Sequence, residues 1–169
     1  MLKELLEKYQ AIKYGDFTLT SGKKSSYYVN VKAAYTNPEV LRTIAKEMGK
    51  FAKGYDRVAG MELGAVPLAV AVSIETGIPF LMIRKQPREH GTKSRIEGAM
   101  NKGEKVLIVE DVATTGGSLV QTLQAIRDEG GTVDLAVVVV DREEGGEAAM
   151  KDLGVRLVSC IKASQLKRP

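Results

Sequence analysis

A doubly wound α/β domain, with a mostly parallel sheet covered by helices on both faces, is the fold class this sequence predicts. Two runs, "VLIV" at 106–109 and "LAVVVV" at 135–140, are apolar without alternation, the pattern of strands buried on both faces. Such runs alternate along the chain with segments of helical period, and repeated strand–helix units build a parallel sheet. A length of 169 residues suits one domain, spanning 1–169, with its own core.

In "LKELLEKYQAI", Leu2, Leu5, Leu6 and Tyr9 share one side of a helix over 2–12. "FTLTSGKKSSYYVNV" (17–31) reads as two short strands around a Ser-Gly turn. A helix over 37–54 follows: Asn37 can cap it, Pro38 sits in the first turn, and Gly54 stops it. After that, apolar runs and helical patterns alternate. Strands are expected over 57–61, 79–84, 105–110, 132–141 and 155–161, with helices over 65–77, 117–131 and 143–154. No repeat, low-complexity tract or linker divides the chain.

Hydrophobic content of 44% and charged content of 27% are ordinary for a globular protein. The N-terminus "MLKELLEKYQAIKYG" lacks the apolar core of a signal peptide. The longest nearly apolar stretch, "AVPLAVAVSI", is too short to span a bilayer. A single cysteine, Cys160, excludes an intramolecular disulfide and any multi-cysteine metal site; its setting "VRLVSCIK" reads as a buried strand thiol. No membrane partner and a cytoplasmic location are the expectation. Lys and Arg number 25 against 21 Asp and Glu, and the excess is local. Residues 84–95, "RKQPREHGTKSR", hold five basic residues and the only histidine against one acid.

Chemistry concentrates in "VLIVEDVATTGGSL", 106–119. An apolar strand is expected to end on two adjacent acids, Glu110 and Asp111, followed at once by small and hydroxyl residues leading into a helix. In such folds ligands collect at the carboxyl ends of the strands. A helix N-terminus offers free N–H groups and a partial positive charge. Gly116 and Gly117 let that backbone approach an anion closely, and Thr114, Thr115 and Ser118 add hydroxyl donors. The loop is therefore a phosphate cradle, while the two acids suit the vicinal hydroxyls of a ribose, or a magnesium ion through water. No G-x-x-x-x-G-K-[ST] and no G-x-G-x-x-G occurs, so neither a P-loop nor a dinucleotide fold is indicated.

The basic segment, with one Pro and two Gly in "RKQPREHGTKSRIEG", is expected to be a mobile exposed loop. Arg84, Lys85, Arg88 and His90 can close over a polyanion and exclude water from it. Nucleic acid is not expected as a partner, because no aromatic residues interleave with the charges to stack bases.

Residues 106–118 resemble the phosphoribosyl-diphosphate (PRPP) signature of the type I phosphoribosyltransferases. The basic loop resembles the catalytic loop of the orotate phosphoribosyltransferases: Arg-Lys, three residues ending in a basic one, an acidic residue, then His-Gly. "GDFTLTSGKKSSYYVNVK" is similar to that family's N-terminal region, and Arg142 in "DR" stands where the family keeps an arginine against orotate. The resemblance implies a type I phosphoribosyltransferase fold with a small N-terminal strand/helix hood. Three departures stand out. Thr20 replaces a lysine that many members carry before the Ser-Gly, Arg88 replaces a second loop lysine, and "GMELGAVPLA" lacks a Tyr-Lys pair found there in other members.

What the resemblance implies is transfer of 5-phosphoribosyl from PRPP to N1 of orotate, giving orotidine 5′-monophosphate and diphosphate in pyrimidine (UMP) biosynthesis. PRPP binding is carried over to Arg84, Lys85, Arg88, His90, Glu110, Asp111, Val112, Ala113, Thr114, Thr115, Gly116, Gly117 and Ser118. Thr114–Ser118 hold the 5′-phosphate, and Glu110 and Asp111 face the ribose hydroxyls. Lys85, His90 and Asp111 are the catalytic candidates, His90 acting as general acid or as hydrogen-bond donor to diphosphate. Arg142, helped by Thr114, pairs with orotate. Mg2+ rides on PRPP, and no residue is assigned as a metal ligand. In the family Lys85 serves the neighbouring subunit, which implies a homodimer with shared active sites. Two alternatives stay open: a phosphoribosyltransferase for another base, such as a purine, and a non-catalytic PRPP-sensing regulator.

Overall fold

The computed structural model describes residues 1–19 and 22–166; Thr20 and Ser21, where a Ser-Gly turn is expected, lie outside them. Helix α1 (Leu2–Lys8) leads into an antiparallel pair, β1 (Ile12–Thr18) and β2 (Lys24–Val29). Helices α2 (Val31–Tyr35) and α3 (Pro38–Gly49) follow, then β3 (Arg57–Met61), α4 (Val66–Thr76), β4 (Phe80–Ile83) and a two-residue strand β5 (Ile96–Glu97). The second half alternates as β6 (Val106–Ala113), α5 (Gly117–Asp128), β7 (Leu135–Asp141), α6 (Gly146–Asp152) and β8 (Arg156–Lys162).

The main sheet has the order β5-β4-β3-β6-β7-β8. All its neighbours are parallel except β5, which runs antiparallel to β4. The chain goes outward from β3 to β4, returns to β6 beside β3, and then builds outward the other way. The strand order therefore reverses between β3 and β6, and the crevice beyond their carboxyl ends is where this topology binds ligands. Alternate residues of the central strands feed two cores. Leu107, Val109, Val137 and Val139 pack with Leu6, Ile44, Met48 and Leu68 from α1, α3 and α4. Val106, Ile108, Ala136 and Val138 pack with Leu119, Leu123, Ile126 and Met150 from α5 and α6. Each such large side chain is fully buried, which contributes roughly 1.5–3 kcal/mol.

Several boundaries differ from those expected. Helix α1 stops at Lys8 rather than running to Ile12, because Gln10 takes φ 57° and closes a left-handed C-terminal motif. Gln10 N–H bonds Glu7 O at 3.0 Å and Ala11 N–H bonds Leu6 O at 2.8 Å. The freed residues start β1 five positions before the expected Phe17. Helix α2 is an unexpected element: Asn30 caps it by accepting from Ala33 N–H at 3.3 Å. Helix α3 ends at Gly49, short of Gly54, where Phe51 and Ala52 N–H switch to carbonyls three residues back. The basic loop ends in β5, because Ile96 is buried against the sheet. Strand β7 begins at Leu135, after the expected Thr132. Strand β6 runs through both acids to Ala113, in register with Asp141 of β7, instead of ending at Glu110.

Gly60 in β3 lies hard against the loop that follows it. A Cβ added there would be 2.3 Å from Ala65 O. Gly60→Ala is therefore expected to destabilise the protein by about 1–3 kcal/mol through overpacking, read as a fall of a few degrees in melting temperature. An unchanged melting temperature would contradict this packing.

Candidate active site

The two acids of β6 are buried, Glu110 at 6% and Asp111 at 5% exposure. Their partners come from different elements. Glu110 accepts from Ser118 Oγ on α5 at 3.0 Å and from Asp111 N–H at 2.9 Å. Asp111 accepts from Lys32 Nζ on α2 at 2.6 Å. Burial, and then the neighbouring Asp111 carboxylate, push Glu110 up to about 8. Burial acts on Asp111 in the same direction, but the Glu110 carboxyl proton and the Lys32 ammonium outweigh it and hold Asp111 below the usual range. The adjacent acids thus share one proton near neutrality and carry one negative charge between them. Tyr35 of α2 is pushed up to about 12 by burial and by both acids; it donates to Gly64 O at 2.6 Å, tying α2 to the loop after β3.

The loop from β6 to α5 turns at Gly116, whose φ of 92° favours glycine. A side chain there would also press on α6, with Gly146 Cα 3.2 Å and Ala149 Cβ 3.3 Å from a built Cβ. Gly146 N–H donates to Thr114 O at 3.0 Å, which fixes the loop against α6. No side chain caps α5 at Gly116, so its first N–H groups face outward beside exposed Thr114, Thr115, Gly117 and Ser118. Val112 and Ala113 are the last strand residues before that turn, and Ala113 O accepts from Arg142 N–H at 2.9 Å. Arg142 follows β7. Its guanidinium lies over the Tyr27 ring of β2, 5.0 Å from the centroid, and reaches Glu144 at 3.4 Å. Its Nε is buried without a hydrogen-bond partner among the described residues.

The basic loop is arranged around an acid that the sequence reading did not single out. Glu97 of β5 accepts from Arg84 Nη1 at 3.3 Å and from Arg88 Nε at 3.0 Å, and its second oxygen pairs with Arg88 Nη2. Lys85 N–H donates to Glu62 Oε1 at 2.6 Å, while the Lys85 and His90 side chains are exposed. The structure thus gathers Glu110, Asp111 and Ser118 into one network, and Arg84 with Arg88 into another. No side-chain hydrogen bond or ion pair among the described residues joins Lys85 or His90 to the acids. Lys32, Tyr35, Glu62 and Glu97 are the members that sequence reasoning missed. Lys32 stands 79 residues before its partner, so no local spacing exposes it; the Asn30 cap was the available sign of α2.

Folded Glu110 keeps its proton to about 8 from an ordinary 4.5. The stability this contributes is full below the lower value and is lost as pH rises through the higher. The melting temperature of the ligand-free protein should therefore fall between about pH 4.5 and about pH 8, and Glu110→Gln should flatten that fall. A wild-type profile as flat as the variant's would contradict the shared proton.

Residues 31–165 match the phosphoribosyl transferase domain family. The orotate phosphoribosyltransferase of Picrophilus torridus is 50% identical over 167 residues, covering 99% of this chain and 100% of that protein. The crystal structure of orotate phosphoribosyltransferase from Aeropyrum pernix superposes with a TM-score of 0.87 at 32% identity, covering 98% of this chain and 96% of that one. The Mycobacterium tuberculosis H37Rv enzyme in complex with PRPP gives 0.79 at 32% identity, with 98% of each chain covered. With its acids and glycine loop at the switch point and likeness along its whole length, this chain belongs to the orotate phosphoribosyltransferase family.

Proposed function

We propose that this protein transfers the 5-phosphoribosyl group of PRPP to N1 of orotate, releasing diphosphate and forming orotidine 5′-monophosphate. The observation that carries this reading is the arrangement at the β3/β6 switch point, where two buried adjacent acids adjoin an uncapped helix start. PRPP brings a phosphate, a diol and a diphosphate on one ribose, and each has a counterpart here. The 5′-phosphate fits the N–H groups and hydroxyls of 114–118. The ribose hydroxyls fit Glu110 and Asp111, which accept hydrogen bonds and favour the positive charge that grows on the ribose as diphosphate departs. The buried, unpartnered Arg142 Nε and the Tyr27 face beneath its guanidinium suit an anionic aromatic base. Mg2+ enters with PRPP as part of the substrate.

Diphosphate leaves with developing negative charge, so positioned cations contribute more than a nucleophile does. Lys85 and His90 are exposed on the loop, free to reach a diphosphate over the crevice, and His90 then donates to it as an acid or as a hydrogen-bond donor. Arg84 and Arg88 reach it only by exchanging Glu97 for the phosphate oxygens, so loop closure includes a change of ion-pair partner. The exposed Lys85 supports a homodimer in which each loop serves its neighbour's site, and Leu63 and Ile74, each 80% exposed, provide apolar surface for such a contact. A cytoplasmic location belongs to the same proposal. No helix among the described residues is long and apolar enough to cross a membrane.

The test is loss of orotate absorbance with PRPP and magnesium, with adenine, guanine, hypoxanthine, xanthine and uracil assayed in parallel. Consumption of orotate alone is expected. Turnover of a different base would keep the PRPP site and overturn the role of Arg142, and silence on every base would favour a PRPP-sensing regulator. Lys85→Ala should lower turnover by about 10²–10³-fold, or about 2.7–4 kcal/mol, at an unchanged melting temperature. An unchanged rate would remove Lys85 from the chemistry.

A further inference from the structure

Lys32, the last residue of the segment 15–32, brings a cation from α2 to the buried Asp111. Its Nζ is 2.6 Å from Asp111 Oδ2, with the lysine side chain 57% exposed and the aspartate side chain 7% exposed. An ammonium has three donors; one is spent on Asp111, and no other partner is present among the described residues. The remaining two are left for a ligand.

The stem of Lys32 crosses the loop between β3 and α4. A Cβ built on Gly64 would lie 2.4 Å from Lys32 Cε and 3.2 Å from Nζ, and its three nearest atoms all belong to Lys32. Tyr35, one turn further along α2, holds this loop in place through Gly64 O. The loop "GMELGAVPLA" has no basic residue of its own. Its backbone leaves open, at Gly64, the space that Lys32 enters.

We infer that Lys32 is a PRPP-binding residue, supplying from α2 the ammonium that the loop after β3 lacks. The inference rests on the proposed PRPP site and adds a residue to it. Lys32 is more than a surface ion pair, which would contribute little, because its partner is buried and an unpaired buried carboxylate is costly. The charged and titratable groups facing Asp111 are Glu110 on its own strand and Lys32 and Tyr35 from α2. Removing Lys32 should therefore let Asp111 gain a proton at higher pH, and the acidic limb of the rate profile should move up with it.

The experiment measures magnesium–PRPP binding by calorimetry and orotate turnover for wild type, Lys32→Met, Lys32→Arg, and the double variant Lys32→Met/Gly64→Lys. Lys32→Met should weaken PRPP binding at least tenfold and lower kcat/KM for PRPP by roughly 10²-fold, with the acidic limb shifted upward. In the double variant the new lysine grows into the space that Lys32 vacates, so at least a tenfold recovery is expected. A Lys32→Met protein within twofold of wild type in PRPP binding overturns the inference. So does a double variant that melts like wild type yet binds as poorly as Lys32→Met. Should the double variant not fold, Lys32→Arg decides: PRPP binding retained supports the inference, and a loss equal to that of Lys32→Met overturns it. Failure of wild type to bind PRPP overturns both readings. If wild type binds PRPP without turning over orotate, the calorimetric comparison of the variants alone decides the inference.

Discussion

Asp111 is a carboxylate carried into the protein on the central strand and held there by an ammonium from another part of the chain. Much of the crevice is arranged around that pair. A buried charge needs a partner, because desolvation alone would drive it neutral. Lys32 is that partner, and its presence requires α2, which the Asn30 cap starts and Tyr35 fastens to the loop after β3. Glu110 settles the remaining conflict by keeping its proton, so two neighbouring acids carry one charge. The hood elements, the β3 loop, β6 and α5 thus converge on three side chains and one shared proton.

Around this centre the anion-binding parts are backbone and loop features. The glycine turn at Gly116 lies too close to α6 for a side chain, which keeps the start of α5 uncapped and open. At the edge of the sheet, on β5, Glu97 holds Arg84 and Arg88 together. Two guanidiniums on one carboxylate would repel each other without it; with it they stand at one place on the sheet edge, available to a stronger polyanion.

Much of this was legible in the sequence, and the parts that were not have a common cause. Unalternated strands such as "LAVVVV" announce burial on both faces, and the order of acids, hydroxyls and glycines in 110–118 announces an anion site. Both are local patterns. The sequence predicts too early an end for β6 because charged residues ordinarily stop a buried strand; here Lys32 and Ser118 make burial tolerable, and neither is adjacent to the acids in sequence. Lys32, Glu62 and Glu97 act through tertiary contacts, and no spacing rule reports a partner 79 residues away. The early end of α1 turns on a left-handed Gln10, an uncommon conformation for a residue with a side chain.

The most direct test of the account is a carbon-13 NMR titration of the Glu110 and Asp111 carboxyl groups, with and without PRPP. The account predicts that free Glu110 titrates at about 8, that Asp111 titrates below the ordinary aspartate range, and that PRPP shifts both resonances. Ordinary titration of both groups with no response to PRPP would contradict it.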